Sequence, residues 1–464
     1  MKKSRKLLLS GALAFSATMP IISASCGKQS NTPDNPDKPA GEHSKAIPNE
    51  RRVTGIELKD ELKIAPEKVK QLPKFAVITD GGTLEDKTFN QSGWEALLYT
   101  AEQSGINKDM YTPIEVVQGK FEDAYIDALE SGYKYWVLPG FLHQENIQKF
   151  FKTHHKKILD AKIKIIAIDF VLNLEYTDKD NNTIKPEGIG VSINFETKQG
   201  GFLAGYAAGE FLSTIYKEEK DRFISTLGGG NFRGVTDFNE GFYKGLMIWN
   251  ERNKNDDTKK IYSTDEKVIL DTGFAPSTNM TTQVEGLLSK NAKMILPVGG
   301  PLTLQVTRSS NFKNKDKFVI GVDTDQALQD SNGQKSRYFT SIIKKIGQSI
   351  YEVLSAILSG NKDLMAKYAG GFDGTKNVSL KKGIEDGWVG TAKTAIQGDQ
   401  KAIAEKALKN ALEAFNQLTE NEKEFLNSDR VSLTDKTQKF PDINDIDASK
   451  RIDALSKALY KKIN

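Results

Sequence analysis

The sequence predicts an α/β protein built as two similar lobes. Short apolar runs bounded by turn residues alternate with stretches whose apolar residues recur at helical spacing, from about residue 74 to residue 322. Each run is followed by a helix-length segment, the pattern of parallel strands joined by crossover helices. The alternation comes as two successive sets of similar size, one for each lobe.

The first strand is Phe75–Ile78, and Gln91–Gln103 is the helix after it, with Trp94, Leu97 and Leu98 on one face. Between them lies Thr79–Asn90, a loop carrying Asp80, Asp86, Phe89 and Asn90, with Gly81 and Gly82 to turn the backbone. Open α/β sheets bind ligands where such loops leave the carboxyl ends of strands. Further strands are expected at Ile114–Val117, Tyr135–Leu138, Ile163–Ile168 and Ile189–Ile193, with helices near Phe121–Leu129 and Asn146–Leu159. The second set reads as helix Gly200–Ile215, strand Phe223–Thr226, helix Val235–Asn250, strand Val268–Leu270, helix Met280–Leu288, and strands Met294–Pro297 and Phe318–Val322. Helical patterning returns in Ala402–Leu418 and Ala448–Leu459, within a C-terminal extension, residues 391–464, that has no functional reading.

The two ends frame this core. Residues 1–25 have the anatomy of a secretory signal: a basic start to Lys6, an apolar stretch from Leu7 to Ile22, then small residues before Cys26. Cys26 is the one cysteine of the chain, so an intramolecular disulfide is excluded. Its setting resembles a bacterial lipobox, which implies a fatty-acylated N-terminus and a lipid-anchored location on the extracellular face of the cell membrane. Residues 26–73, polar and Pro-rich at first, are expected to form a disordered tether.

Composition narrows the function. The formal charge of +4 comes from the signal: setting aside Lys2, Lys3, Arg5 and Lys6 leaves basic and acidic residues equal in number. A neutral chain lacks the basic footprint that nucleic acid requires. No Gly-x-Ser-x-Gly elbow, Walker loop or His-Glu-x-x-His occurs. The four histidines, His43, His143, His154 and His155, fall outside the motifs, and no metal or cofactor is expected.

The loop Asp80-Gly81-Gly82 through Asp86-Lys87-Thr88-Phe89-Asn90 resembles the signature of the basic membrane protein family, surface lipoproteins that bind purine nucleosides for ABC importers. The resemblance continues in order through Gly200–Ala208, Ile295–Gly300, Ile320–Gln326, Thr340–Lys344 and Gly383–Gly390, covering about residues 74–390. An ordered series over a domain-sized span is more specific than any one motif. It implies a type I periplasmic-binding-protein fold, each lobe a parallel sheet flanked by helices, with ligand in the cleft between lobes. With crossings placed near Asn194, Asp323 and Ser341, the first lobe is residues 74–194 and 323–341, and the second 195–322 and 342–390.

The resemblance also implies a ligand site. A nucleoside needs an aromatic face for its base and polar groups for its edges and ribose. Phe89 would stack on the base, Asp80 and Asn90 would meet its edge, and Gly299 and Gly300 would let backbone approach. The family's acid and lysine at the ribose map onto Asp323 and Lys344. Family members carry an aromatic near Leu296, so here the second stacking wall is either missing or supplied by Phe274. Other roles stay open: Asp80 as a turn or helix cap, Phe89 as a core residue behind the loop, Lys344 as a solvated helix start. The implied function is capture of a purine nucleoside by a monomer that hands it to an ABC permease without bond chemistry. Two alternatives remain, a binding protein for another small polar ligand such as a sugar, and a surface antigen or adhesin with a vestigial cleft.

Overall fold

The computed structural model of the protein describes residues 46–81, 83–443 and 447–462. The expected signal, Cys26, the first part of the expected tether and Gly82 lie outside the described residues. The described part opens with a strap and a short helix α1 (Pro66–Val69), then alternates β1 (Phe75–Ile78), α2 (Phe89–Ser104), β2 (Tyr111–Ile114), α3 (Phe121–Glu130), β3 (Tyr135–Pro139), α4 (His143–Asp160) and β4 (Lys164–Ile168). A small hairpin, β5 (Tyr176–Thr177) and β6 (Thr183–Ile184), precedes β7 (Gly190–Phe195). The second set runs α5 (Thr197–Ile215), β8 (Phe223–Gly228), α6 (Arg233–Arg252), β9 (Tyr262–Ser263), α7 (Thr278–Leu288), β10 (Met294–Val298), α8 (Leu302–Arg308), α9 (Ser310–Lys313), β11 (Phe318–Asp323) and β12 (Tyr338–Lys344). Then come α10 (Ile346–Ser359), α11 (Lys362–Tyr368), β13 (Val378–Lys382), β14 (Val389–Thr391), α12 (Gln400–Asn416), α13 (Glu420–Asn427) and α14 (Ser449–Leu459).

Two six-stranded sheets result, in the orders β13-β7-β4-β3-β1-β2 and β14-β12-β11-β10-β8-β9. Pairing is parallel throughout except between β12 and β14. A parallel sheet must be covered on both faces. In β1, Phe75 and Val77 face one buried cluster while Ala76 and Ile78 face another. In the second sheet Ile224, Leu296 and Ile320 face one cluster, and Leu227, Ile295 and Val319 the other.

Three features correct the expected domain boundaries. Tyr338–Lys344 is a strand hydrogen-bonded to β11 of the second sheet, so residues 323–341 belong to the second lobe. Next, α10 packs in the first lobe's core and β13 pairs with β7, so residues 346–382 belong to the first lobe. The crossings therefore fall after Phe195, after Lys344, and between Lys382 and Val389; Asn194 lies beside the first of these. Lastly, residues 46–73 are no free tether where described: Leu62 and Ile64 are buried in the first lobe, and the Glu95 carboxylate on α2 accepts Val53 N–H and Thr54 N–H at 2.9 Å each. The strap is irregular rather than periodic, so its apolar residues announce no element.

The C-terminal extension is part of the second lobe. Ala404, Ala407 and Ala411 of α12, Phe425 of α13, and Ile452 and Leu455 of α14 join the cluster that covers the second sheet. Beneath them α5 and α6 pack backbone to backbone. A Cβ added at Gly205 would lie 2.1 Å from Phe242 O, and one at Gly241 2.3 Å from Lys198 O. Those distances exclude any larger residue at either position.

Candidate functional site: the interlobe cleft

The loop after β1 is organised by Asp86. One carboxylate oxygen accepts Thr88 N–H at 2.9 Å and Gln91 N–H at 3.1 Å; the other accepts Asn90 N–H at 2.8 Å and Asn90 Nδ2 at 3.0 Å. Asp86 thereby satisfies the orphan donors at the start of α2. Burial pushes its carboxyl above the usual range against the pull of these donors. The cap weighed for Asp80 thus falls to Asp86. Asp80 exchanges hydrogen bonds with Asn90 instead: its N–H donates to Asn90 Oδ1, and its Oδ1 accepts Asn90 Nδ2, both at 3.1 Å. Gly140, φ 119°, lies against it, and a Cβ there would sit 2.1 Å from Asp80 Oδ2.

At the inner end of the cleft three charges meet. Lys344, the last residue of β12, is 1% exposed and donates to Asp169 Oδ2 at 2.6 Å. Asp323, at the end of β11, places Oδ1 3.7 Å from the same ammonium, beyond hydrogen-bond reach. That oxygen is buried and has no hydrogen-bond partner. Burial pushes the Asp323 carboxyl up to about 6, with the charges of Asp169 and Asp86 adding to the rise and Lys344 opposing it. Burial by itself would lower Lys344, but Asp169 and then Asp323 outweigh it and its affinity for the proton is raised. The ammonium also lies 5.4, 5.6 and 5.1 Å from the ring centres of Phe89, Phe195 and Phe238, within cation–π range. Both acids hold left-handed backbone, φ 67° at Asp169 and 65° at Asp323. Such strain outside glycine collects at functional sites.

Outward from these charges the walls are aromatic. Phe141 of the first lobe and Phe232 of the second stack with centres 4.8 Å apart and planes 7° from parallel, and Phe274 leans on Phe232 at 5.7 Å. The cavity they line measures about 660 Å³ and opens to solvent. Its size suits a small-molecule ligand.

All eight expected contact residues, Asp80, Phe89, Asn90, Phe274, Gly299, Gly300, Asp323 and Lys344, line this one cavity. Phe274 sits at the rim, 42% exposed. Leu296 points into the second lobe's core, away from the cleft. Asp325 caps the turn after β11 through its own side chain, which accepts Ala327 N–H at 3.3 Å. Sequence reasoning missed Asp169, Phe141 and Phe232. Each follows a strand at its carboxyl end, and that position was the available signal. His143 is a core residue, held between Tyr125 OH at 2.7 Å and Ile78 O at 2.9 Å, with burial lowering its pKa to about 3. Among the described residues no group of three His, Cys, Asp or Glu is placed to hold a metal ion, and no helix is long and apolar enough to cross a membrane.

Known proteins resemble this chain in sequence and fold. The chain is similar to the ABC transporter nucleoside-binding protein BmpA of Lactococcus lactis subsp. cremoris, 25% identical over 334 residues that cover 69% of this chain and 82% of that protein. It is also 25% identical over 319 residues to basic membrane protein B of Borreliella burgdorferi, with 68% of this chain and 80% of that one covered. A crystal structure of an ABC transporter solute-binding protein from Aeropyrum pernix K1 matches with a TM-score of 0.52 at 18% identity, over 76% of this chain and 89% of that one, which establishes the type I periplasmic-binding-protein fold. The family model described as ABC transporter substrate-binding protein PnrA-like matches residues 74–390. That span is more than half of the chain, and the protein belongs to this Bmp family of ABC transporter substrate-binding proteins.

Proposed function

We propose that the protein captures a purine nucleoside at the outer face of the cell membrane, where acylated Cys26 anchors it, and delivers it to an ABC permease. The observation that carries this reading is the buried, unpartnered Oδ1 of Asp323. A buried acceptor without a donor costs free energy that a ligand hydroxyl restores. Vicinal ribose hydroxyls supply such donors, with Lys344 beside them as donor to a ribose oxygen. The base then lies toward Phe89 and the Phe141–Phe232 pair, and Asp80 and Asn90 face its polar edge.

Thermal unfolding of the folded domain against nucleosides, free bases and sugars tests this, since a ligand of the native state raises the melting temperature by mass action. The expected result is a rise with purine nucleosides and none with sugars. A rise with sugars alone would replace the substrate. No rise with any of them, after unfolding and refolding to strip bound ligand, would return the cleft to the surface-antigen alternative.

A further inference from the structure

The loop that carries Phe232 is tied on both sides to the C-terminal extension. Asn231 Nδ2 donates to Asp447 Oδ1 at 2.6 Å, and Arg233 Nε donates to Asp442 Oδ2 at 3.0 Å. Phe232 is the residue between these two ties. On its other side the loop is anchored through backbone hydrogen bonds, Gly229 N–H donating to Val298 O at 2.8 Å and Gly273 N–H to Gly229 O at 3.0 Å.

The extension's end of each tie is itself fixed. Asp442, its side chain 3% exposed, pairs also with Arg451 Nη1 at 2.5 Å. Arg451, on α14, donates to Phe440 O at 2.8 Å and to Glu240 Oε2 on α6 at 2.9 Å. Asp447 accepts Ser449 N–H at 2.8 Å at the start of α14, and its backbone pairs with that of Ile443. Two acids that lie outside residues 74–390 therefore grip the second lobe's aromatic wall from behind.

We infer that Asp442 and Asp447 are positioning residues for the cleft: through Arg233 and Asn231 they set the plane of Phe232 opposite Phe141, making the extension part of the binding apparatus. Neither acid lines the ligand cavity. Their effect on binding rests on the nucleoside reading above; their effect on the loop does not.

The test has two arms on the same protein. Hydrogen exchange of the amides in residues 229–234, in the unliganded protein, should be about tenfold faster in Asp442→Ala and in Asp447→Ala, with β8 and β10 unchanged. Asp447→Asn, which keeps an acceptor oxygen, should restore the slow rate. In the second arm, affinity for adenosine, guanosine and inosine should fall roughly tenfold in Asp447→Ala, and the same substitution should cost nothing further when made in Phe232→Ala. Unchanged exchange overturns the positioning role whatever binds. Equal losses in the parent and Phe232→Ala backgrounds reduce the acids to general stabilisers of the lobe and overturn the route through Phe232. If no nucleoside binds the parent, the substrate reading falls, while the exchange arm still decides the positioning.

Discussion

Lys344 and Asp169 join the two lobes through one ion pair, 2.6 Å between Nζ and Oδ2, although 175 residues separate them. The ammonium ends a strand of the second sheet and the carboxylate follows a strand of the first. A single cation thus serves Asp169, Asp323 and three aromatic rings. In a buried setting such sharing is costly to disturb, because removing one partner strands the other charge.

Lys344→Met is expected to destabilise the protein by about 3–5 kcal/mol, the usual cost of breaking a buried pair from one side. Adding Asp169→Leu should recover part of that loss, since no stranded charge then remains at residue 169. Denaturant unfolding of the two variants checks this. A double variant no more stable than Lys344→Met would show that the pair is not energetically coupled.

Asp323 makes stability depend on pH in the less common direction. Its carboxyl is raised to about 6 in the folded protein. The unfolded chain titrates near ~3.9, so between these values the native state holds a proton that the unfolded state has released. The stability this group contributes is present in acid and is lost as the pH rises to about 6. Asp323→Asn, which cannot ionise, should therefore match the parent near pH 4 and exceed it by roughly 2–3 kcal/mol at pH 7 without ligand. The same substitution should weaken nucleoside binding at pH 7, where the ionised carboxylate is the better acceptor of hydroxyl hydrogen bonds. Parallel stability curves for the two proteins would remove Asp323 as the titrating group.

Glu240 works in the opposite sense. Burial opposes its ionisation, but Lys244 at 2.6 Å, Lys198 at 3.0 Å and Arg451 at 2.9 Å outweigh that and hold the carboxyl down at about 2. Its contribution is complete above the ordinary carboxylate range of ~4.3 and fades as the pH falls toward about 2. Glu240→Gln should cost about 3–5 kcal/mol at neutral pH and progressively less in acid. A loss independent of pH would point to packing rather than charge.

Gly140→Ala tests the seat of Asp80. The new Cβ would fall 2.1 Å from Asp80 Oδ2 on backbone of φ 119°, a conformation that costs a non-glycine residue about 1–3 kcal/mol. Stability should drop by about that amount, and ligand affinity should fall with the displaced carboxylate. Affinity equal to the parent's would place Asp80 outside the ligand's contacts.

The loop of residues 79–90 was legible because everything that makes it is local: an apolar strand, two glycines, an acid and an amphipathic helix in succession. Its internal roles were not. Asp80 and Asp86 look alike in sequence, and only the direction of the Thr88, Asn90 and Gln91 amides assigns the cap to Asp86. Likewise Tyr338–Lys344 is apolar enough to fit either sheet, and its pairing with β11 is a choice made in three dimensions. Asp169 carried no motif, because its partner lies on the other lobe. Ile56, Leu62 and Ile64 follow no period, since an extended strap fills a groove rather than presenting a face.

The most recognisable stretch of the second lobe, Gly200–Ala208, lies in α5 and away from the cleft. At Gly201 and Gly205 the backbone of α6 lies where a side chain would be. Such a stretch answers to the contact of two helices and not to a ligand. Kinship read from it vouches for the chassis and is silent on the cargo, whose identity the proposed reading assigns to scattered single residues such as Phe89, Asp169, Phe232 and Asp323.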